Sequence, residues 1–130
     1  MKFSIIPAGC APYTLSLLRI AVGLLFLEHG TGKLLNFPPI AEAMGKMMGS
    51  GMLTFTGTIE LVGGALIVLG LFTRIVAFIL SGFMAVGYFM AHLPHGFFPV
   101  LNFGEAAALY SFAFLYLAAA GPGPWSVDRG

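Results

Sequence analysis

Seven side chains able to carry charge or move a proton stand within long apolar stretches of this sequence: Arg19, Glu28, His29, Lys33, Glu60, His92 and Glu105. Placing a charged group at the centre of a membrane helix costs about 2.5–3.5 kcal/mol on insertion scales, so such residues are the informative ones. Three chemistries are open to them. Acids and bases can neutralise one another as buried ion pairs, as Lys33 would with Glu60 or Glu105. They can line a polar pocket for a small redox ligand such as a quinone, whose carbonyl oxygens accept hydrogen bonds from His or Lys and whose protons leave through carboxylates. His29, His92 or His95 could instead join Glu28, Glu60 or Glu105 around a metal. No HExxH or ExxH pair shares one helical face, so these histidines are weak ligands on sequence and no metal is assigned.

The elements that must position these groups follow from composition. The 130 residues form a single domain, 58% hydrophobic and 8% charged, with a mean hydropathy of +0.96. A soluble domain carries about 25% charged residues. A chain this poor in charge cannot cover its surface with polar groups, and helices amphipathic for water would show a polar stripe that is missing here. Lipid is therefore the solvent for most side chains. Four apolar segments, residues 13–35, 53–72, 74–93 and 103–120, each approach the roughly 20 residues that cross hydrocarbon as a helix. A loop holding Pro38, Pro39, Gly45, Gly49 and Gly51 follows the first, a tight joint at Thr73-Arg74 the second, and a connector with Pro94, Gly96 and Pro99 the third. The expectation is an all-α integral membrane four-helix bundle with short connections, in which the second and third helices are antiparallel neighbours.

Counting about 1.5 Å per residue, Glu28, His29 and Lys33 fall in one half of the first helix and Glu60 roughly 10 Å inside the second from the same face. His92 ends the third helix at that face and Glu105 begins the fourth there, so six groups share one half of the bundle while Arg19 and Arg74 lie near the other. At about 100° per residue, Arg74, Phe78, Ser81, Ala85, Tyr88 and His92 share a stripe, as do Glu105, Ala108, Leu109, Phe112 and Tyr116. Tyr88 and Tyr116 thereby become candidate stacking or proton-bearing groups. Gly57, Gly63 and Gly64 around Glu60 make a smooth face for close helix approach, which turns Glu60 inward. Arg19, Gly23, Phe26, Gly30 and Lys33 fall on one side of the first helix, with Glu28 on the opposite side.

Several functions are excluded or disfavoured. With a net charge of +1 and no basic run, nucleic acid is not a partner. Cys10 is the single cysteine and supports neither a disulfide nor a thiolate cluster. Too few apolar residues precede it for a cleaved signal segment, so the first helix is expected to be retained. No GxSxG motif or phosphate-cradling glycine loop occurs, and Ser81 has no base in evident reach. No flavin, haem or iron–sulfur motif is present, so no covalently bound cofactor is expected and any electron carrier is diffusible or belongs to a partner. Lys2, Arg74 and Arg129 on the side of the termini outweigh Lys46 and Lys33 on the other, which favours cytoplasmic termini.

Other residues have plainer readings. Met44, Met47, Met48 and Met52 suit flexible interfacial packing, His95 is a loop residue, and Asn102 is expected to cap the fourth helix. Arg74 is expected to snorkel to lipid phosphate. Gly121-Pro122-Gly123-Pro124 ends the last helix and releases Trp125 at interfacial depth.

Taken in order along the chain, these features resemble the DoxX family of small bacterial and archaeal membrane proteins. The matching residues are Arg19, Gly23, Phe26, His29-Gly30 and Lys33; Glu60, Gly63-Gly64, Gly70 and Thr73-Arg74; Met84 and His92; Gly104-Glu105; and Gly121-Pro122-Gly123, Ser126 and Asp128. The resemblance implies a four-helix fold in the cytoplasmic membrane. It also implies a subunit or accessory factor of a quinone-linked oxidoreductase system, since some members belong to sulfur-oxidation or terminal-oxidase systems. The alternative is a non-catalytic assembly protein whose charges are structural ion pairs, with protein partners or further copies of itself around it. Transport is disfavoured, because four short helices leave little room for a moving gate. These residues include no soluble catalytic domain, so an independent sulfur-oxidising role is not expected.

Overall fold

Helix α1, Ala11–Leu35, opens with Pro12, whose missing N–H is harmless in a first turn. It ends at Asn36 in the left-handed conformation. The computed structural model describes residues 3–128. The stretch expected to be a loop contains helix α2, Ala41–Met48, with an exposed Glu42–Lys46 pair one turn apart at 3.3 Å. Helix α3, Ser50–Leu69, runs between Gly49 and Gly70, both at positive φ. Helix α4, Thr73–Gly87, continues through a π turn, Tyr88–His92, and a 3-10 turn, Leu93–His95. Helix α5 is the short Pro99–Asn102, and α6 is Glu105–Ala120.

Three apolar stretches are long enough to span a bilayer: Ala8–Leu35, Ser50–Leu69 and Thr73–His95. The fourth helix is equally apolar but has 16 residues, about 24 Å of rise, below the usual spanning length. Large side chains such as Leu24, Phe78, Ile79, Leu109 and Phe112 are exposed around the bundle, as lipid-facing residues are.

The helices pack as two pairs, α1 along α3 and α4 along α6. Glycine sets the first pair. A Cβ on Gly64 would lie 2.8 Å from the Leu27 Cα, so the backbones touch where no side chain intervenes. Serine sets the second pair: the Ser81 hydroxyl donates to the Ser111 carbonyl at 2.7 Å, and Ser111 returns the bond at 2.9 Å. The core lies where the pairs meet, with Phe26, Ile67, Leu80, Phe114 and Leu117 almost fully buried and Phe26 edge-on to Phe114 at 5.0 Å. The tight joint does make α3 and α4 antiparallel neighbours, with Gly63 against the Leu80 side chain, but each packs mainly on a different helix.

Both ends of the described chain meet at one face, where Tyr13 and Trp125 rings stand 5.4 Å apart. Lys2 and Arg129, part of the charge bias for orientation, lie outside the described residues.

Candidate functional site

Five residues of the α1 stripe, Arg19, Gly23, Phe26, Gly30 and Lys33, are buried, and Glu28 is exposed on the far side. Helix α3 buries Gly57, Glu60, Gly63 and Gly64. Because glycines let the two backbones close, Lys33 and Glu60 meet: Nζ lies 2.7 Å from Oε1, with the side chains 5% and 8% exposed. Lys33 also donates to the Thr56 hydroxyl at 3.0 Å. The second carboxylate oxygen, Oε2 of Glu60, is buried without a hydrogen-bond partner.

His29 is half-buried beside this pair. Its Nδ1 lies 2.9 Å from the Leu25 carbonyl and must carry the proton, leaving Nε2 free. Its ring stands edge-on to Tyr110 at 6.0 Å, and Tyr110 in turn packs on Phe26 and Phe114. Sequence reasoning alone does not single out Tyr110. The signal for it is the apolar row Ala107, Tyr110, Phe114, Leu117, which has helical spacing and faces the core.

The row expected to face inward on the fourth helix is the wrong one. Glu105, Leu109, Phe112 and Tyr116 are all exposed, so Glu105 and Tyr116 face outward. Among the described residues neither Glu28 nor Glu105 has an ion-pair partner. Equal depth does not bring side chains together when they point to different sides.

His92 and Tyr88 form a second polar group, at the end of α4. The rings stack at 6.2 Å, and His92 Nδ1 lies 3.0 Å from the Asn102 carbonyl. Asn102, 1% exposed, donates to the Tyr88 hydroxyl at 3.1 Å and the Gly96 carbonyl at 2.8 Å, and accepts from the Gly104 N–H at 2.8 Å. The expected N-cap is therefore corrected: Gly104 holds that position, without a side-chain bond, and Asn102 ties down the connector. His95 is exposed. Among the described residues no three His, Cys, Asp or Glu side chains are gathered as metal ligands.

The two arginines act on backbone carbonyls at the face of the termini. Arg19, fully buried, donates from Nε to Ile67 at 3.0 Å and to the carbonyls of Val68, Pro122 and Trp125. It joins the C-terminus of α3 to the tail. Arg74 donates to the Ala118, Ala119 and Ala120 carbonyls at the end of α6, so its expected role at lipid phosphate gives way to capping a helix. Asp128 receives the N–H groups of Phe72 and Thr73, both at 2.8 Å, where α4 begins. Burial pushes the Asp128 carboxyl up, but those two N–H groups and the Arg19 charge outweigh it and hold the group below its ordinary value.

An open groove of about 340 Å³ runs between α3 and α4, with apolar walls that include Ile59, Val62, Gly63, Ile79 and Leu80. The cavity is not polar.

An all-helical membrane protein with a closed internal ion pair is the class these features define. A DoxX model matches residues 14–93, and the chain belongs to the DoxX family. It is 47% identical to an uncharacterized protein of Haemophilus influenzae over 91% of this chain and 90% of that one. It is 32% identical to the uncharacterized membrane protein Rv3486 of Mycobacterium tuberculosis, over 91% and 81% of the two chains. Identity to the inner membrane protein YqjF of Escherichia coli is 32%, over 85% and 86%. No solved structure matches.

Proposed function

We propose that this chain is a non-autonomous accessory subunit of an oxidoreductase system in the bacterial or archaeal cytoplasmic membrane, with its termini in the cytoplasm. In this reading it assembles partner subunits within the bilayer and performs no redox step of its own. One observation carries it: Lys33 is closed onto Glu60 at 2.7 Å, with the two side chains only 5% and 8% exposed. A ligand held by Glu60 needs a cavity that reaches its carboxylate, whereas a pair closed on itself fixes how two helices dock. Family membership supports the redox context.

A second reading places a quinone at Glu60, and the free Oε2 favours it. A hydroquinone hydroxyl could donate to that oxygen, with His29 and Tyr110 alongside; such a ligand would enter only if Lys33 swung away. Crosslinking at native expression, followed by purification in mild detergent, tests both. Recovery of a stoichiometric redox partner without bound quinone supports the accessory reading. Co-purified quinone that is lost on Glu60→Gln and equally on the more stable Lys33→Met/Glu60→Gln overturns it in favour of the ligand site, and a chain recovered alone, without either, rejects both.

A further inference from the structure

Helices α4 and α6 run antiparallel in a fixed register along their whole contact. Arg74 reaches Ala118, Ser81 pairs with Ser111, and a Cβ on Gly104 would strike the Tyr88 ring, so residue numbers at one level keep a constant sum. Starting from Arg74 at the face of the termini, about 20 residues cross about 30 Å of hydrocarbon. That places the opposite boundary near Leu93–His95. Gly104 shares the level of Tyr88, well short of His95 along α4 and its terminal turns, and so lies about 10 Å inside that boundary. The connecting residues 96–104 must descend through this layer.

The chemistry of the segment fits that depth. From Pro94 to Gly104 it carries no Asp, Glu, Lys or Arg. Phe97, Phe98, Val100, Leu101 and Phe103 are between 60% and 87% exposed, whereas its one polar amide, Asn102, is buried with every bond made internally. Backbone N–H groups of Gly96, Leu101 and Asn102 close onto Leu93 and Phe98. Polar groups inward and aromatic rings outward is the reverse of a water-facing loop. Non-helical backbone is tolerated at membrane depth where its polar groups are satisfied within the protein, as those of Gly96, Leu101, Asn102 and Gly104 are here.

We propose that residues 96–104 form a re-entrant segment within the leaflet opposite the termini, and that its exposed aromatic face is a binding surface for lipid acyl chains. Asn102 is the peg that holds it, with Tyr88, Gly96 and Gly104 as its anchorage.

A single-tryptophan series in reconstituted full-length protein tests this. Trp125→Phe removes the native reporter, and Phe98→Trp or Phe103→Trp is added, with Phe112→Trp as a deep reference and Phe37→Trp as a shallow one. Vesicles are phosphatidylcholine with and without bromine on the acyl chains, and acrylamide is the aqueous quencher. The expected result is strong quenching of the reporters at positions 98 and 103 by brominated chains, approaching the deep reference, with acrylamide quenching several-fold weaker than at the shallow one. Asn102→Leu should raise acrylamide quenching at position 103 several-fold while helix content by circular dichroism is kept. Free access of acrylamide without bromine quenching would place the segment in water and overturn the proposal. Protection from both quenchers would mean a protein, such as a second copy, covers the face, and would overturn it equally.

Discussion

Replacing Glu60 by Gln should destabilise the bundle far more than replacing both members of its ion pair. At a separation of 2.7 Å and an effective dielectric constant of about 20, the attraction between Lys33 and Glu60 is about 6 kcal/mol. Withdrawing each ion from water costs several kcal/mol, so the intact pair contributes little net stability. Glu60→Gln or Lys33→Met alone leaves one charge buried without its partner, which costs about 3–5 kcal/mol. The double variant Lys33→Met/Glu60→Gln removes both charges and should recover to within about 1–2 kcal/mol of wild type. Unfolding by SDS titration, followed by far-ultraviolet circular dichroism, measures all four corners of the cycle. Single variants within about 1 kcal/mol of wild type, or a double variant no better than the worse single, would refute the reasoning, because a buried pair cannot behave additively.

Other perturbations probe the rest of the frame. Gly64→Val drives a side chain into the Leu27 backbone and should cost about 1–3 kcal/mol by overpacking, seen as a lower unfolding midpoint in the same titration. Arg19→Met leaves the carbonyls of Val68 and Trp125 without this donor, while Ile67 keeps the Gly70 N–H and Pro122 the Ser16 hydroxyl; at about 1–3 kcal/mol for an unsatisfied buried group, the tail should loosen and become sensitive to limited proteolysis. Asp128→Ala should cost about 1 kcal/mol as a lost helix cap. Because the folded carboxyl titrates below its ordinary value, its contribution is complete above the unfolded pKa of about 3.9 and disappears as pH falls further. Wild type and Asp128→Ala should therefore converge in stability in acid, a result readable from their midpoints at two pH values.

Helix existence was legible because apolar runs are long, and facing was legible on α1, where Arg19, Gly23, Phe26, Gly30 and Lys33 form one buried row. The inward turn of Glu60 followed from its glycines. Pairing of helices was not legible, since a short joint fixes order along the chain but not which faces are complementary. For the same reason depth alone groups Glu105 with Lys33, although the row it heads is exposed. Asn102, Arg74 and Asp128 act on carbonyls or N–H groups that any residue could supply, and the last two do so across long sequence separations. Side-chain identities carry no mark of such partners. Helix α2 hid within a stretch whose glycines and prolines signalled a loop.

The Arg19 guanidinium also constrains how the protein is made. Its acceptors Pro122 and Trp125 lie 103 and 106 residues further along the chain. At about 5–20 residues per second, a ribosome takes about 5–20 s to deliver them after Arg19 has been synthesised. During that interval the cation must stay near water or be shielded by the insertion machinery. Closure of the first helix into its final place thus waits for synthesis of the 122–125 segment, and termination before Pro122 would leave a membrane protein with an unsheltered charge.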